Sequence, residues 1–108
     1  MPEQGYIQAM KKGRAEIMEV LELNRNAIKA FGVKSLALFG STARNEATES
    51  SDLDFVVEFE RKTFDAYMGL KELLESLFGC RVDLIIREAI KPRLRDEILG
   101  SAVHAPGL

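Results

Sequence analysis

A chain of 108 residues with one cysteine cannot close an internal disulfide, so Cys80, set among apolar neighbours, reads as a small buried side chain rather than a reactive thiol. A reducing, cytoplasmic setting is the expectation. No uninterrupted apolar run approaches the roughly 18 residues of a membrane span, and Met1-Pro2-Glu3-Gln4-Gly5 lacks the basic-then-apolar start of a secretory signal. Excess positive charge is missing too. A net charge of −2 with a pI near 5.5 does not supply the broad basic surface that a nucleic-acid template needs, so no stable nucleic-acid binding and no membrane binding are expected. The single histidine, His104, lies near Ala105-Pro106-Gly107-Leu108 and reads as an exposed terminal residue, not a catalyst. No internal repeat or low-complexity tract is visible. A chain this long buries roughly two-thirds of its unfolded surface, enough for one core.

The most informative feature present is Gly40-Ser41, ten residues, then Asp52-Leu53-Asp54. Ser35-Leu36-Ala37-Leu38-Phe39 has the length and composition of a strand, and Thr42-Ala43-Arg44 is compatible with a helix, which places Gly40-Ser41 at a strand-to-helix turn. Glycine there lets backbone approach a phosphate. The Ser41 hydroxyl can cap the helix, whose free N–H groups and dipole favour an anion, and Arg44 can add a charged donor one turn on.

Asp52 and Asp54 stand two apart in the β-rich Asp52-Leu53-Asp54-Phe55-Val56-Val57-Glu58-Phe59, so on a strand they point the same way with Cα atoms roughly 6.6 Å apart. At about 4 Å two carboxylates repel by roughly 4 kcal/mol at an effective dielectric of 20, and a bound cation or a raised pKa must relieve this. Asp83, in the apolar run Val82-Asp83-Leu84-Ile85-Ile86, is a third carboxylate that needs a reason. Three such groups can hold the two hard cations, roughly 3.5–4 Å apart, of two-metal phosphoryl transfer. Singly, each of these signals is weak; in this order they point to nucleotidyl transfer.

The rest of the pattern is α+β. A first helix is expected from about Ile7 or Arg14 to Phe31, ended by Gly32, with Gly13 able to break its start. Strands follow at Ser35–Phe39 and Asp52–Glu60, with the polar loop 45–51 between them. Thr63 should cap a helix from Phe64 to Phe78 whose Tyr67, Leu70, Leu74 and Leu77 make a core stripe, with Gly79 as its C-cap. A third strand through Asp83 comes next. Pro92 suits the first turn of a last short helix, in which Lys91, Arg93 and Arg95 read as a solvated basic face. Tyr6 and Tyr67 read as structural, and Glu58 as a residue on the rim of the site.

The stretch Phe31 to Arg44, with its ten-residue spacer and Ser51-Asp52-Leu53-Asp54, resembles the minimal nucleotidyltransferase (MNT) family of the DNA polymerase β-like superfamily. Segments 64–78, 82–85 and 91–99 are similar to it as well. The resemblance implies a small mixed β-sheet flanked by helices, with residues 17–103 as the nucleotidyltransferase domain, 1–16 as a helical N-terminal extension and 104–108 as a tail. It further implies that Gly40 and Ser41 meet the triphosphate of ATP, that Asp52 and Asp54 bind two Mg²⁺ ions, and that Asp83 completes the catalytic metal site and helps to take the proton. Asn45 stands where the family often has glycine. Many members are encoded beside a HEPN ribonuclease toxin and act as its antitoxin, and characterised examples transfer AMP from ATP to a tyrosine of the toxin. The implied activity is transfer of AMP to a hydroxyl of such a toxin; the alternatives are an antitoxin that acts by binding alone and a small-molecule nucleotidyltransferase.

Overall fold

The computed structural model describes residues 13–40 and 52–108. The elements are α1 (Arg14–Leu23), α2 (Arg25–Lys29), β1 (Val33–Phe39), β2 (Leu53–Phe59), α3 (Phe64–Phe78), β3 (Val82–Ile86), a single 3-10 turn (Arg87–Ala89), α4 (Pro92–Gly100) and β4 (Val103–His104). The strands form one mixed sheet in the order β3-β2-β1-β4, with β2 and β3 parallel and the other pairs antiparallel. The α+β expectation with a small mixed sheet holds.

Alternation along the strands divides the sheet into two faces. Leu36 and Leu38 of β1, Leu53, Phe55, Val57 and Phe59 of β2, and Val82 and Leu84 of β3 join Ile17, Leu21, Ile28, Leu70, Leu74 and Phe78 of the helices in one buried cluster. Phe55 stacks on Phe78 with ring centroids 6.0 Å apart. Each fully buried Leu or Phe here contributes roughly 1.5–3 kcal/mol by leaving water. The other face carries Phe39, Ala37, Asp54, Val56, Glu58, Asp83 and Ile85, as the register requires.

The helix limits follow local chemistry. Thr63 accepts a 3.0 Å hydrogen bond from the Ala66 N–H, Gly79 ends α3 in the left-handed region at φ 64°, and Pro92 stands in the first turn of α4, all as the sequence predicts. The expected single first helix instead breaks at Asn24, whose side-chain amide donates to the Val20 carbonyl at 2.8 Å while its backbone leaves helical geometry. A short amide side chain competes with the helix for that carbonyl.

The C-terminal residues also differ from the sequence reading. Val103 and His104 pair with Leu38 and Ala37 as a fourth strand, the Ala105 N–H donates to Leu36 at 2.8 Å, and Ala105 is buried in the core. Leu108 packs against that core. The segment set apart as a tail is therefore part of the sheet, because two apolar residues and a free strand edge offer it more than solvent does. His104 itself is exposed, as expected. Among the described residues, no helix is long and apolar enough to cross a membrane.

Candidate active site

At one end of the sheet the register places Phe39, Asp54 and Asp83 side by side across β1, β2 and β3. The parallel β2–β3 pairing does this: Asp54 is the Cα partner of Asp83, and both side chains leave the face opposite the core. Asp54 is half-buried and Asp83 exposed. Burial, first, and then the charge of Asp83 and a hydrogen bond with it push the Asp54 carboxyl up from 3.8 to about 6, with Asp52 adding a smaller repulsion. The pair is thus one in which a proton or a cation must offset crowded negative charge.

Asp52 directly precedes β2, on the same side by alternation, and is exposed. Asp54 registers its charge, but the three carboxylates are not drawn into one cluster: among the described residues, no group of three or more His, Cys, Asp or Glu side chains is close enough to hold a metal ion. Gly40 follows β1 with φ +81°, and a β-carbon placed on it would collide with Asp54 Oδ2 and lie 3.2 Å from Asp54 Cγ. Glycine is required twice over, for the left-handed backbone and for this approach to the carboxylate. Ser41 and Arg44, expected at the phosphate, lie outside the described residues, as does Tyr6.

The other singled-out residues make contacts of their own. Glu58 shares their face but at the far end of β2, where it accepts from Ser35 Oγ at 3.4 Å and pairs with Lys34 at 3.8 Å. Tyr67 is structural, packing against the core and donating its hydroxyl to the Leu84 carbonyl at 2.7 Å. Cys80 also packs there, half-buried. Lys91 and Arg93 are exposed, whereas Arg95 turns back to donate to the Ile90 carbonyl at 3.4 Å. A cavity of about 280 Å³ is lined by Lys62, Thr63, Phe64, Tyr67 and Ile86, and Asp54 and Asp83 are not part of its lining. Ile86 pairs with Val57, three residues or roughly 10 Å along from the Asp54–Asp83 pair.

Lys71 and Glu75 also lie beside the site, although no motif singles them out. Glu75 Oε2 accepts from Lys71 Nζ at 2.9 Å and from the Val82 N–H at 3.1 Å. The Lys71 contact and then the Val82 N–H hold the Glu75 carboxyl below its usual value, and the Glu75 bond holds Lys71 above its own, with Asp83 a lesser contributor. The available signal was the i, i+4, i+8 spacing of Tyr67, Lys71 and Glu75 on the helix preceding the Asp83 strand.

Residues 17–104 match the family described as the nucleotidyltransferase domain. A protein of Methanocaldococcus jannaschii described as a candidate protein adenylyltransferase is 45% identical over 83 residues, 73% of this chain and 83% of that protein. The protein adenylyltransferase MntA of Thermococcus cleftensis is 35% identical over 91 residues, 82% of this chain and 92% of the relative. A solved structure described as a candidate minimal nucleotidyltransferase superposes with TM-score 0.66 at 40% identity, covering 80% of this chain and 93% of its own. A chain of a solved structure described as a tri-AMPylated Shewanella oneidensis HEPN toxin in complex with MNT antitoxin matches with TM-score 0.54 at 21% identity, over 81% of this chain and 72% of the other, a likeness of fold alone. With the sheet order, the paired carboxylates and the left-handed glycine in place, the chain belongs to the minimal nucleotidyltransferase family, with the polymerase β-like fold and the nucleotidyltransferase activity of its protein-adenylylating relatives.

Proposed function

We propose that this chain is an antitoxin that transfers AMP from Mg²⁺-ATP to a hydroxyl of a HEPN-type toxin. The observation that carries the reading is the Asp54–Asp83 pair beside the left-handed Gly40, in a chain whose relatives are named protein adenylyltransferases. An all-oxygen donor set in which burial first, and then the neighbouring carboxylates, lift one carboxyl to about 6 suits a hard divalent cation. Asp52 and Asp54 would hold two such ions, with Asp83 on the catalytic one. Bound there, the cations lower the pKa of the attacking hydroxyl and neutralise the departing pyrophosphate.

Gly40 and Ser41 bring backbone N–H groups to the triphosphate, and Arg44 adds positive charge. The acceptor oxygen bonds to the α-phosphorus, the bond from that phosphorus to the bridging oxygen breaks, and pyrophosphate leaves. Asp83 helps to take the acceptor proton.

Incubation of the full chain with ATP, Mg²⁺ and its cognate HEPN-type toxin should add about 329 Da to the toxin per transfer, the mass of an AMP residue. The modified toxin should stay inactive once the antitoxin is removed. Asp52→Ala should abolish the mass change and protection in cells while leaving the complex intact. Full protection by that variant, with no mass change on the wild-type partner, would replace this reading with inhibition by binding alone.

A further inference from the structure

β3 is an edge strand, and its backbone alternates between partners. The Arg81 carbonyl accepts from Leu53 of β2, so the odd residues 81, 83 and 85 turn their amide groups toward β2 and the even residues turn theirs outward. Two of those outward groups are taken by α3. The Tyr67 hydroxyl donates to the Leu84 carbonyl at 2.7 Å, and the Glu75 carboxylate accepts from the Val82 N–H at 3.1 Å while Lys71 holds its position at 2.9 Å. Tyr67, Lys71 and Glu75 lie four apart on one stripe of α3. Val82 and Leu84 are the two neighbours of Asp83, so the stripe grips β3 immediately before and immediately after the carboxylate that faces Asp54.

We propose that Tyr67 and Glu75 are positioning residues for Asp83: by clamping the outer edge of β3 at Val82 and Leu84, they keep the Asp83 carboxylate in line with Asp54. The inference rests on the nucleotidyl-transfer reading of the carboxylates given above. The bond to β2 on one side and the two bonds to α3 on the other leave β3 little freedom to slide or twist. An edge strand held on one side only would let a carboxylate at its exposed face wander by the fraction of an ångström that metal ligation does not tolerate. The two polar contacts each end on a backbone group next to Asp83, apart from whatever packing the Tyr67 ring makes with the core.

The test uses the full chain with Mn²⁺ and a non-hydrolysable ATP analogue, reading Mn²⁺ affinity by electron paramagnetic resonance and foldedness by circular dichroism at the same temperature. Tyr67→Phe removes only the hydroxyl, and Glu75→Ala removes the side chain beyond Cβ, the carboxylate included. Each should stay folded and weaken Mn²⁺ by about tenfold, the lower end of what partners of metal ligands contribute. Glu75→Gln keeps an acceptor for the Val82 N–H and should restore affinity to within about threefold of wild type. In an Asp83→Asn background both changes should alter affinity less than about twofold, because the group they act through is already gone. Undiminished effects in that background, or no effect in the parent, would overturn the inference while leaving the site reading intact. A wild type that binds no Mn²⁺ with the analogue would overturn the site reading itself, and this inference with it.

Discussion

Gly40 shows how far one residue can be constrained. An L-residue at φ +81° costs roughly 1–2 kcal/mol, and its β-carbon would displace the Asp54 carboxylate besides. Gly40→Val should therefore lower stability by at least about that amount and also weaken triphosphate binding, with Ser41→Ala milder in both. Calorimetry with a non-hydrolysable triphosphate, together with a thermal melt, checks this; unchanged affinity would move the phosphate site elsewhere. Asp54 offers a second test. Its carboxyl titrates near 6 in the folded chain against 3.8 for an ordinary aspartate, so its contribution is fully present below about 3.8 and is lost as pH rises through about 6. In metal-free solution, the stability of wild type relative to Asp54→Asn should fall between pH 4 and pH 7, as measured by urea melts in chelator. A flat difference would mean that neither burial nor Asp83 disfavours the Asp54 carboxylate.

At the scale of elements, α3 carries most of the architecture. It begins at a Thr63 cap, buries Leu70, Leu74 and Phe78, and presents Tyr67, Lys71 and Glu75 to the edge of β3. Thr63→Ala should cost about 1 kcal/mol, a fall in melting temperature of about 4–8 °C, while leaving Mn²⁺ affinity near wild type. A change confined to affinity would contradict the purely capping role. The helix start was legible because Thr63 precedes the amphipathic run from Phe64. The break of the first helix at Asn24 was not, because it depends on a side-chain bond to Val20 that competes with ordinary helix geometry.

For the whole molecule, the sheet is closed at its β1 edge by the last few residues. Deleting residues 103–108 removes β4, the buried Ala105 and the packed Leu108, and uncovers the β1 edge. The shortened chain should lose at least about 2 kcal/mol and aggregate more readily, seen as a lower melting temperature and increased light scattering. An unchanged melt would return the segment to the status of a loose tail. The α+β class, the strand around Asp54, the limits of α3 and the carboxylates are legible along the chain, because alternation, caps and an aspartate in an apolar strand are local signals carried by neighbouring residues. It took the folded chain to show that Asp54 faces Asp83, that Gly40 abuts Asp54, that Glu75 and Tyr67 grip the strand on either side of Asp83, and that Val103–His104 is a strand. Each of those facts is a pairing between segments distant along the chain, set by the register and by which strand edge is free, and local periodicity carries no record of either.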